Sequence, residues 1–416
     1  MFKRLKRIAA GVPAVVLLAG TAIAITPGQA SALTHVNCGA VIHASITLAN
    51  DVGPCTGDGI DLTGSNYTVH LNGHTITGSN GTNNTNNQQL GINLMNAHKV
   101  TVFGDAVAGH PGTITAFDAG VGINGGGSNT IVGITVRDNI SHVLLTGGVD
   151  PTNPVATACD FGDGITLFNS NGNLIQSNNA VHNGPFSGIS LVGTSSHNTL
   201  DSNISANNTI SNLEPDGATS GPCGPFQSVG AGPGRAHQDV GIRVEGPGAM
   251  HNVVKGNSAT GNQLEGIAIH GNVCMNNPNP APENDYNKVL NNFVSGNGFA
   301  GPNENLDGIG ILSQGPSSVV CVAQANLIQG NTSSNNAGNG VYVGGRNASL
   351  NQVIGNTVNS NGAAGVYISS GALEDTIKHN TGSGNGTFDG FDGNPGCGID
   401  QWKANVFVTV NQPCVK

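Results

Sequence analysis

One spacing constrains this chain more than any other property. Asn173, Asn178 and Asn183 stand five residues apart, and a Gly-Ile-x-Leu stretch follows at Gly188–Leu191. The same pattern, N-x4-N-x4-N and then G-[IV]-x-[VIL], restarts at Asn198, Asn252, Asn287, Asn326 and Asn351. A variant begins at Asn129 with Ile134 in the middle slot, and a last one begins with Asp375 in place of Asn. Where nothing is inserted the period is 24 or 25 residues, a length that marks a solenoid of stacked units.

The residue types say how such a unit folds. Short strands with Ile and Val at alternate positions turn those side chains inward and Ser, Thr or Arg outward. Asn and Gly take the bends, because both tolerate left-handed backbone and Asn can bond its own chain. Asn recurring at one register stacks coil on coil, each amide bonding the next as in cross-β ladders. The expected fold is therefore all-β, a single-stranded parallel β-helix in which each coil buries its apolar face against its neighbours. Composition agrees: Gly is 64 of 416 residues, Asn is nearly as frequent, and charged residues are 9%. Gly and Asn are poor helix formers, which excludes a long helical protein. Low charge is expected of a surface made mostly of turns and stacked amides, with Gly as the hinge before each strand.

Before residue 129 the pattern loosens, through Gly59–Leu62, Tyr67–Ile76, Gly91–Leu94 and Val100–Val102, read as earlier coils with irregular turns. The whole amounts to roughly 12–13 coils, a rod of about 60 Å at ~4.8 Å per coil. Regular coils are expected over about 129–390, with caps at about 33–60 and 391–416, since a solenoid needs covered ends. Residues 1–32 read as a secretory signal peptide: Lys3, Arg4, Lys6 and Arg7, an apolar run from Ile8 to Ile25, and a small-residue cleavage site at Ala30–Ala32. Removing it takes four of the 14 Lys and Arg and none of the 24 acids, so the net charge moves from −10 to −14. That balance excludes general nucleic-acid binding, which needs clustered bases. No later stretch is apolar enough to span a membrane, and the mature protein is expected to be extracellular.

All eight cysteines lie beyond the signal, as a disulfide framework requires. Cys38 with Cys55, and Cys397 with Cys414, are expected to staple the two caps. Cys159 and Cys223 fall in segments before a G-[IV]-x-[VIL] strand, Cys274 and Cys321 in segments after one, and the pairs Cys159–Cys223 and Cys274–Cys321 follow from that placement. These segments are the long insertions of the repeat, Ile140–Asp163, Asn208–Val240, Gly271–Tyr286 and Ser313–Ala325, with a shorter one at Gly298–Asp307. They border the same strands and would wall a groove whose floor is the outward face of those strands, the usual place for function on a rigid scaffold.

From Leu71–Ile76 to Asn405 the pattern resembles the right-handed parallel β-helix repeat proteins, the superfamily that includes pectate lyases. The resemblance implies the fold and its right hand, and leaves chemistry open among lyases, hydrolases, epimerases, adhesins and metal-maturation proteins. Asn305–Gly308 resembles the N-x-D-G element of polygalacturonase-like hydrolases. The paired Asp, Gly-His-Gly and Arg-x-Lys of that family do not follow it, and the sole Trp is Trp402, so no family catalytic residue is carried over.

Aligning the strands places Thr166, Ser190, Arg243, Ala268, Gly310, Tyr342 and Tyr367 in one outward column. Phe168, Val192, Glu245, His270 and Leu312 form the next, and Asp163, Ser187, Val240, Glu265, Asp307 and Asn339 precede the glycines. Arg243, Glu245, Glu265, His270 and Asp307 thus gather on successive coils, with His237 and Asp239 beside them. This set suits an acidic polysaccharide. Arg243 would neutralise a uronate carboxylate, His270 or His237 would take the C5 proton, and Glu245, Glu265 or Asp307 would protonate the leaving oxygen, giving a lyase or epimerase. Hydrolysis would instead use two carboxylates flanking the bond, a role open to Glu265 and Asp307. Tyr342 and Tyr367 would form a sugar platform. The alternative is a non-catalytic surface or carbohydrate-binding protein, with an exposed ion pair and turn carboxylates in place of a site. Asp160 with Asp163, and Asn303, Glu304 and Asn305 with Asp307, also offer oxygen ligands of the kind Ca2+ prefers, with turn chemistry as the competing account.

Overall fold

The computed structural model describes residues 33–79, 89–140, 163–184, 186–209, 240–246, 248–271, 284–299, 306–313, 322–345 and 347–416. Their strands form three sheets of 13, 12 and 12 strands. The first runs from Leu33–Thr34 to Gln401–Lys403, the second from Val52–Cys55 to Val406–Phe407, the third from Ala40–Ile42 to Gly390–Asp392. Each coil gives one strand to each sheet in turn, as in Leu174–Gln176, Asn179–Val181 and Ser187–Val192, and every pairing between these strands is parallel. The expected parallel β-helix of 12–13 coils is what forms. The described helical structure is one 3-10 turn at Pro395–Cys397, and no helix among the described residues is long and apolar enough to cross a membrane.

The core is a set of inward columns. Ile165, Ile189, Ile242, Ile267, Ile309, Val341 and Val366 stack along the third sheet, all fully buried. Each such side chain contributes roughly 1.5–3 kcal/mol of burial free energy, and its column neighbours supply the surfaces that remove it from water.

Asparagine does more than the sequence pattern conveys, and in a different place. The repeating Asn residues lie inside the coil corners, buried, and are not part of the surface. Asn203 is representative. Its backbone N–H donates to Oδ1 of Asn257 one coil on (2.8 Å), its Nδ2 donates to the same oxygen (3.0 Å), and Nδ2 also donates to the Ile175 carbonyl one coil back (2.8 Å). Three such ladders run along the corners, through Asn173–Asn198–Asn252, Asn178–Asn203–Asn257 and Asn183–Asn208–Asn262 and onward. Each satisfies backbone groups that a bend would otherwise leave buried and unpaired. The left-handed residue at each bend is the one before the Asn: Ser177, Ser202, Gly256, Asn291, Gly330, Gly355 and His379 along the second ladder all have φ between 54° and 68°.

The strand-leading glycines are likewise explained by space. Gly188 and Gly241 do not have positive φ. A Cβ on Gly188 would lie 2.0 Å from Ser205 Oγ and 2.4 Å from Asn208 Nδ2, and one on Gly241 would lie 2.5 Å from the Gly266 carbonyl. Gly is therefore required there so that the third Asn ladder can pack against the third sheet, and the hinge reading gives way to close approach.

Both expected cap disulfides, Cys38–Cys55 and Cys397–Cys414, are formed. Cys159, Cys223, Cys274 and Cys321 lie outside the described residues, as does the 1–32 segment. At the C-terminal end the first ladder changes residue: Asn351 N–H donates to Asp375 (2.7 Å) and Asp375 N–H to Asp400 (2.9 Å). Burial, then the nearby charge of Asp400, pushes the Asp375 carboxyl up to about 8. Trp402 Nε1 donates to Asp392 (2.7 Å) and packs edge-on against Phe407, closing that end.

Candidate functional site

The third sheet positions the candidate residues through its register. Ser190 pairs with Arg243, Arg243 with Ala268, Ala268 with Gly310, Gly310 with Tyr342, and Tyr342 with Tyr367. Glu245 pairs with His270 in the adjoining column. Glu265 and Asp307 stand before Gly266 and Gly308, and the Gly241 and Gly266 amides donate to their carbonyls. The sequence alignment of these columns is the observed register, so Arg243, Glu245, Glu265, His270 and Asp307 do fall on three successive coils. His237 and Asp239 lie outside the described residues.

These outward side chains form a buried polar seam. Arg243 is 4% exposed, Glu265 1% and Asp307 4%. Within it the groups are closely matched. Arg243 Nη1 donates to Glu245 Oε2 at 2.6 Å along the same strand, and the guanidinium lies 4.3 Å from the Phe186 ring centroid. His270 Nε2 approaches the Glu265 carboxylate at 3.0 and 3.1 Å. Asp307 Oδ1 accepts from the Asn339 backbone N–H (2.7 Å) and from Asn339 Nδ2 (2.8 Å). Burial, and then the negative charge of Glu265, push the Asp307 carboxyl up to about 7, against the pull of Asn339 and His270. A carboxyl group facing a second one across a coil step gives up its proton less readily, which is part of the upward shift at Asp307.

The seam extends further than the residue pattern indicated. Asp163, two coils ahead of Arg243, is 4% exposed and also pushed up to about 7, by burial opposed by Ser190 and Arg243. Its signal was present in the sequence, since Asp163 occupies the same pre-glycine column as Glu265 and Asp307. Phe186 carried no such signal: it precedes the strand and meets Arg243 through a corner. On the other side, Tyr342 and Tyr367 stack at 5.4 Å between centroids, and Tyr367 stacks on Phe391 at 4.6 Å. The tyrosines therefore face each other. The Tyr342 ring lies over Gly344 on its own strand, and at Gly310, its register partner one coil back, a Cβ would lie 2.3 Å from Glu265 Oε1. The missing side chain at Gly310 is what gives that carboxylate its place in the column.

Among the described residues no group of three or more His, Cys, Asp or Glu is arranged to hold a metal ion. Asp160, Asn303, Glu304 and Asn305, four of the oxygen ligands considered for Ca2+, lie outside the described residues, while Asp163 and Asp307 are committed to the seam.

Against known proteins, the family model described as the right handed beta helix region matches residues 29–205. No curated protein sequence matches the chain. Among solved structures, the Dettilon tailspike protein (gp208) is 18% identical with a TM-score of 0.50, over 88% of this chain and 60% of that one. The catalytic domain of a GH87 alpha-1,3-glucanase in complex with nigerose is 14% identical with a TM-score of 0.50, over 90% of this chain and 64% of that one. The A-module of the Azotobacter vinelandii mannuronan C-5 epimerase AlgE6 is 12% identical with a TM-score of 0.42, over 90% and 76%. The chain thus spans less than two thirds of the tailspike and the glucanase domain. Ladders, register and the likeness to solved structures agree on the fold: the chain folds as a right-handed parallel β-helix.

Proposed function

We propose that this chain is an exported protein that acts on a polysaccharide at the outward face of the third sheet, with Glu265 and Asp307 as its reacting carboxyl groups. One observation carries the reading: the two acids stand at the same register on consecutive coils, and Asp307 is held protonated up to about pH 7 beside Glu265 and His270. Asp307 is then the proton donor to a leaving oxygen, and Glu265, oriented by His270, is the partner carboxyl, the division of labour that glycosidic cleavage needs. Lyase or epimerase chemistry requires a cation offered to a uronate, and the Arg243 guanidinium is engaged by Glu245 and Phe186. The geometry therefore favours hydrolysis over elimination. Two cap disulfides accord with an oxidising compartment beyond the membrane. That proteins of this fold include an alpha-1,3-glucanase with nigerose bound agrees with a sugar ligand, and the likeness carries no site residue across.

A second reading, a non-catalytic carbohydrate-binding protein, is favoured by the near-complete burial of the same groups. Incubation with neutral and uronate polysaccharides, following both new reducing ends and the ultraviolet absorbance of unsaturated uronate, separates these readings. Release of reducing ends that falls by ~100-fold or more in Asp307→Asn or Glu265→Gln supports cleavage by the carboxyl pair. Unsaturated product that depends on Arg243 restores elimination, and binding without turnover selects the second reading.

A further inference from the structure

The corner between the third and first sheets carries a separate column of rings. The left-handed residue before each rung of the first Asn ladder is Gly172, His197, His251, Tyr286, Ala325, Leu350 and Glu374 in successive coils. His197 and His251 stack at 4.9 Å between centroids, and His251 and Tyr286 at 5.0 Å with planes 6° apart. These spacings are those of the coils themselves. The column then meets Ala325, whose side chain is a single methyl, and resumes one coil later at Leu350. Tyr286 is 53% exposed and Leu350 48%. Backbone bonds from Tyr286 N–H to Gln324 and from Ala325 N–H to Ser349 keep the three coils in step.

Among the described residues, Ala325 therefore leaves one rung open between an aromatic residue and an aliphatic one. Two coil steps separate their backbones, roughly 9.6 Å at ~4.8 Å each. Apolar contact takes about 3.5–4.0 Å on either side, so one ring layer fits midway. We propose that this open rung binds a single pyranose ring of a glycan, its C–H face on Tyr286 and its opposite face toward Leu350. The rim is polar: Lys288 and Gln352, both exposed, stand two residues along from Tyr286 and Leu350, at register positions that flank Leu327. An apolar face with a hydroxyl edge matches that arrangement better than an aromatic side chain does, and the choice of a sugar rests on the carbohydrate reading above. The rung lies at a corner and uses none of the seam residues.

Affinity electrophoresis of the full chain through gels containing soluble neutral or uronate polysaccharides tests the rung. The comparison is of wild type, Tyr286→Ala, Ala325→Phe and the Glu265→Gln/Asp307→Asn double variant. Retardation of the wild type is expected, weakened ~5-fold or more by Tyr286→Ala and by Ala325→Phe, and kept by the double variant. Ala325→Phe fills the rung with the ring type already stacked beside it, and an unchanged melting temperature confirms that the coil persists. Wild-type affinity in a folded Ala325→Phe protein overturns the proposal. Retardation lost in the double variant alone overturns the rung while leaving the polysaccharide reading in place, and no retardation of the wild type overturns both. Binding of an aromatic-rich peptide in place of any glycan assigns the rung to a protein side chain and overturns it equally.

Discussion

The corners and the outward face of the third sheet are built from the same coils and solve opposite problems. At the corners, one residue type repeats, and each amide is met by an identical amide a coil away. On the face, six coils carry five different arrangements: Asp163, an Arg243–Glu245 pair, a Glu265–His270 pair, Asp307 on Asn339, then tyrosines on two coils. Both are buried and polar. The corners use neutral groups whose donors and acceptors balance, whereas the seam holds charges whose desolvation must be offset by close partners. Repetition marks what the fold requires, and its interruption marks what the fold merely tolerates.

The largest expected effect belongs to the corners. Asn257→Leu removes the acceptor of two bonds from Asn203 and the donor to the Leu200 carbonyl, leaving buried groups of the preceding coil without those partners, and it also removes the Nδ2 bond to Asn292 on the following coil. A loss of about 4–5 kcal/mol is expected in denaturant unfolding. The comparison with the seam breaks if that loss is no greater than for an exposed Asn such as Asn171. Next comes Arg243→Met, which leaves the partly buried Glu245 without its cation and is expected to cost about 3 kcal/mol, with most of it recovered in Arg243→Met/Glu245→Gln. Failure of the second substitution to recover stability would mean that the guanidinium has weightier partners than Glu245.

A smaller effect has the opposite sign. Asp375 occupies an Asn rung, and its Oδ2 is buried with no hydrogen-bond partner among the described residues. Its carboxyl is raised to about 8 in the folded chain. Below the unfolded value near 4 both states are protonated and nothing is lost. As pH rises from about 4 to 8 the unfolded chain ionises first, so stability declines across that window. Asp375→Asn should therefore stabilise the protein at pH 8 by about 1–3 kcal/mol and barely at pH 4. Asp163 and Asp307, each raised to about 7, push the wild type the same way, so chemical unfolding should show it weaker at pH 8 than at pH 4–5. The smallest effect is Tyr367→Ala, which removes stacking on two sides for about 1–2 kcal/mol of stability. It sharpens the site question if polysaccharide affinity falls by more than the unfolding measurement accounts for.

Most of the fold was legible because its signal is periodic. The Asn spacing gave the coil, the strand alignment gave the register of Arg243, Glu245 and His270, and the terminal Cys pairs gave the caps. What the pattern misassigned was depth. An Asn at a bend reads as surface, and only the path of neighbouring coils shows that Asn203 is enclosed and that Ser202 takes the left-handed turn. Gly188 was read as a hinge because the clash it avoids comes from Ser205 and Asn208, on another strand. Of the site, the titratable residues were legible and their environment was not. Burial of Arg243 against Phe186, the proton held on Asp307 and the open rung at Ala325 depend on side chains brought together from different coils.

The ladders also have a direction. Each Asn hands its backbone N–H and one Nδ2 hydrogen to the coil that follows, so a final rung needs only to receive from the coil before it. An aspartate does that, being an acceptor alone when ionised. Asp400 ends the first ladder and Asp389 ends the third, accepting from the backbone N–H and the Nδ2 of Asn385, while the second ends on Asn405. Two of the three ladders thus close by replacing an amide with a carboxylate. A duplicated coil spliced ahead of Asp375 would find its hydrogens accepted and lengthen the rod by one step. The same coil appended beyond Asp400 would be offered at most a backbone N–H, as Asp375 offers Asp400, and no side-chain hydrogen from that rung.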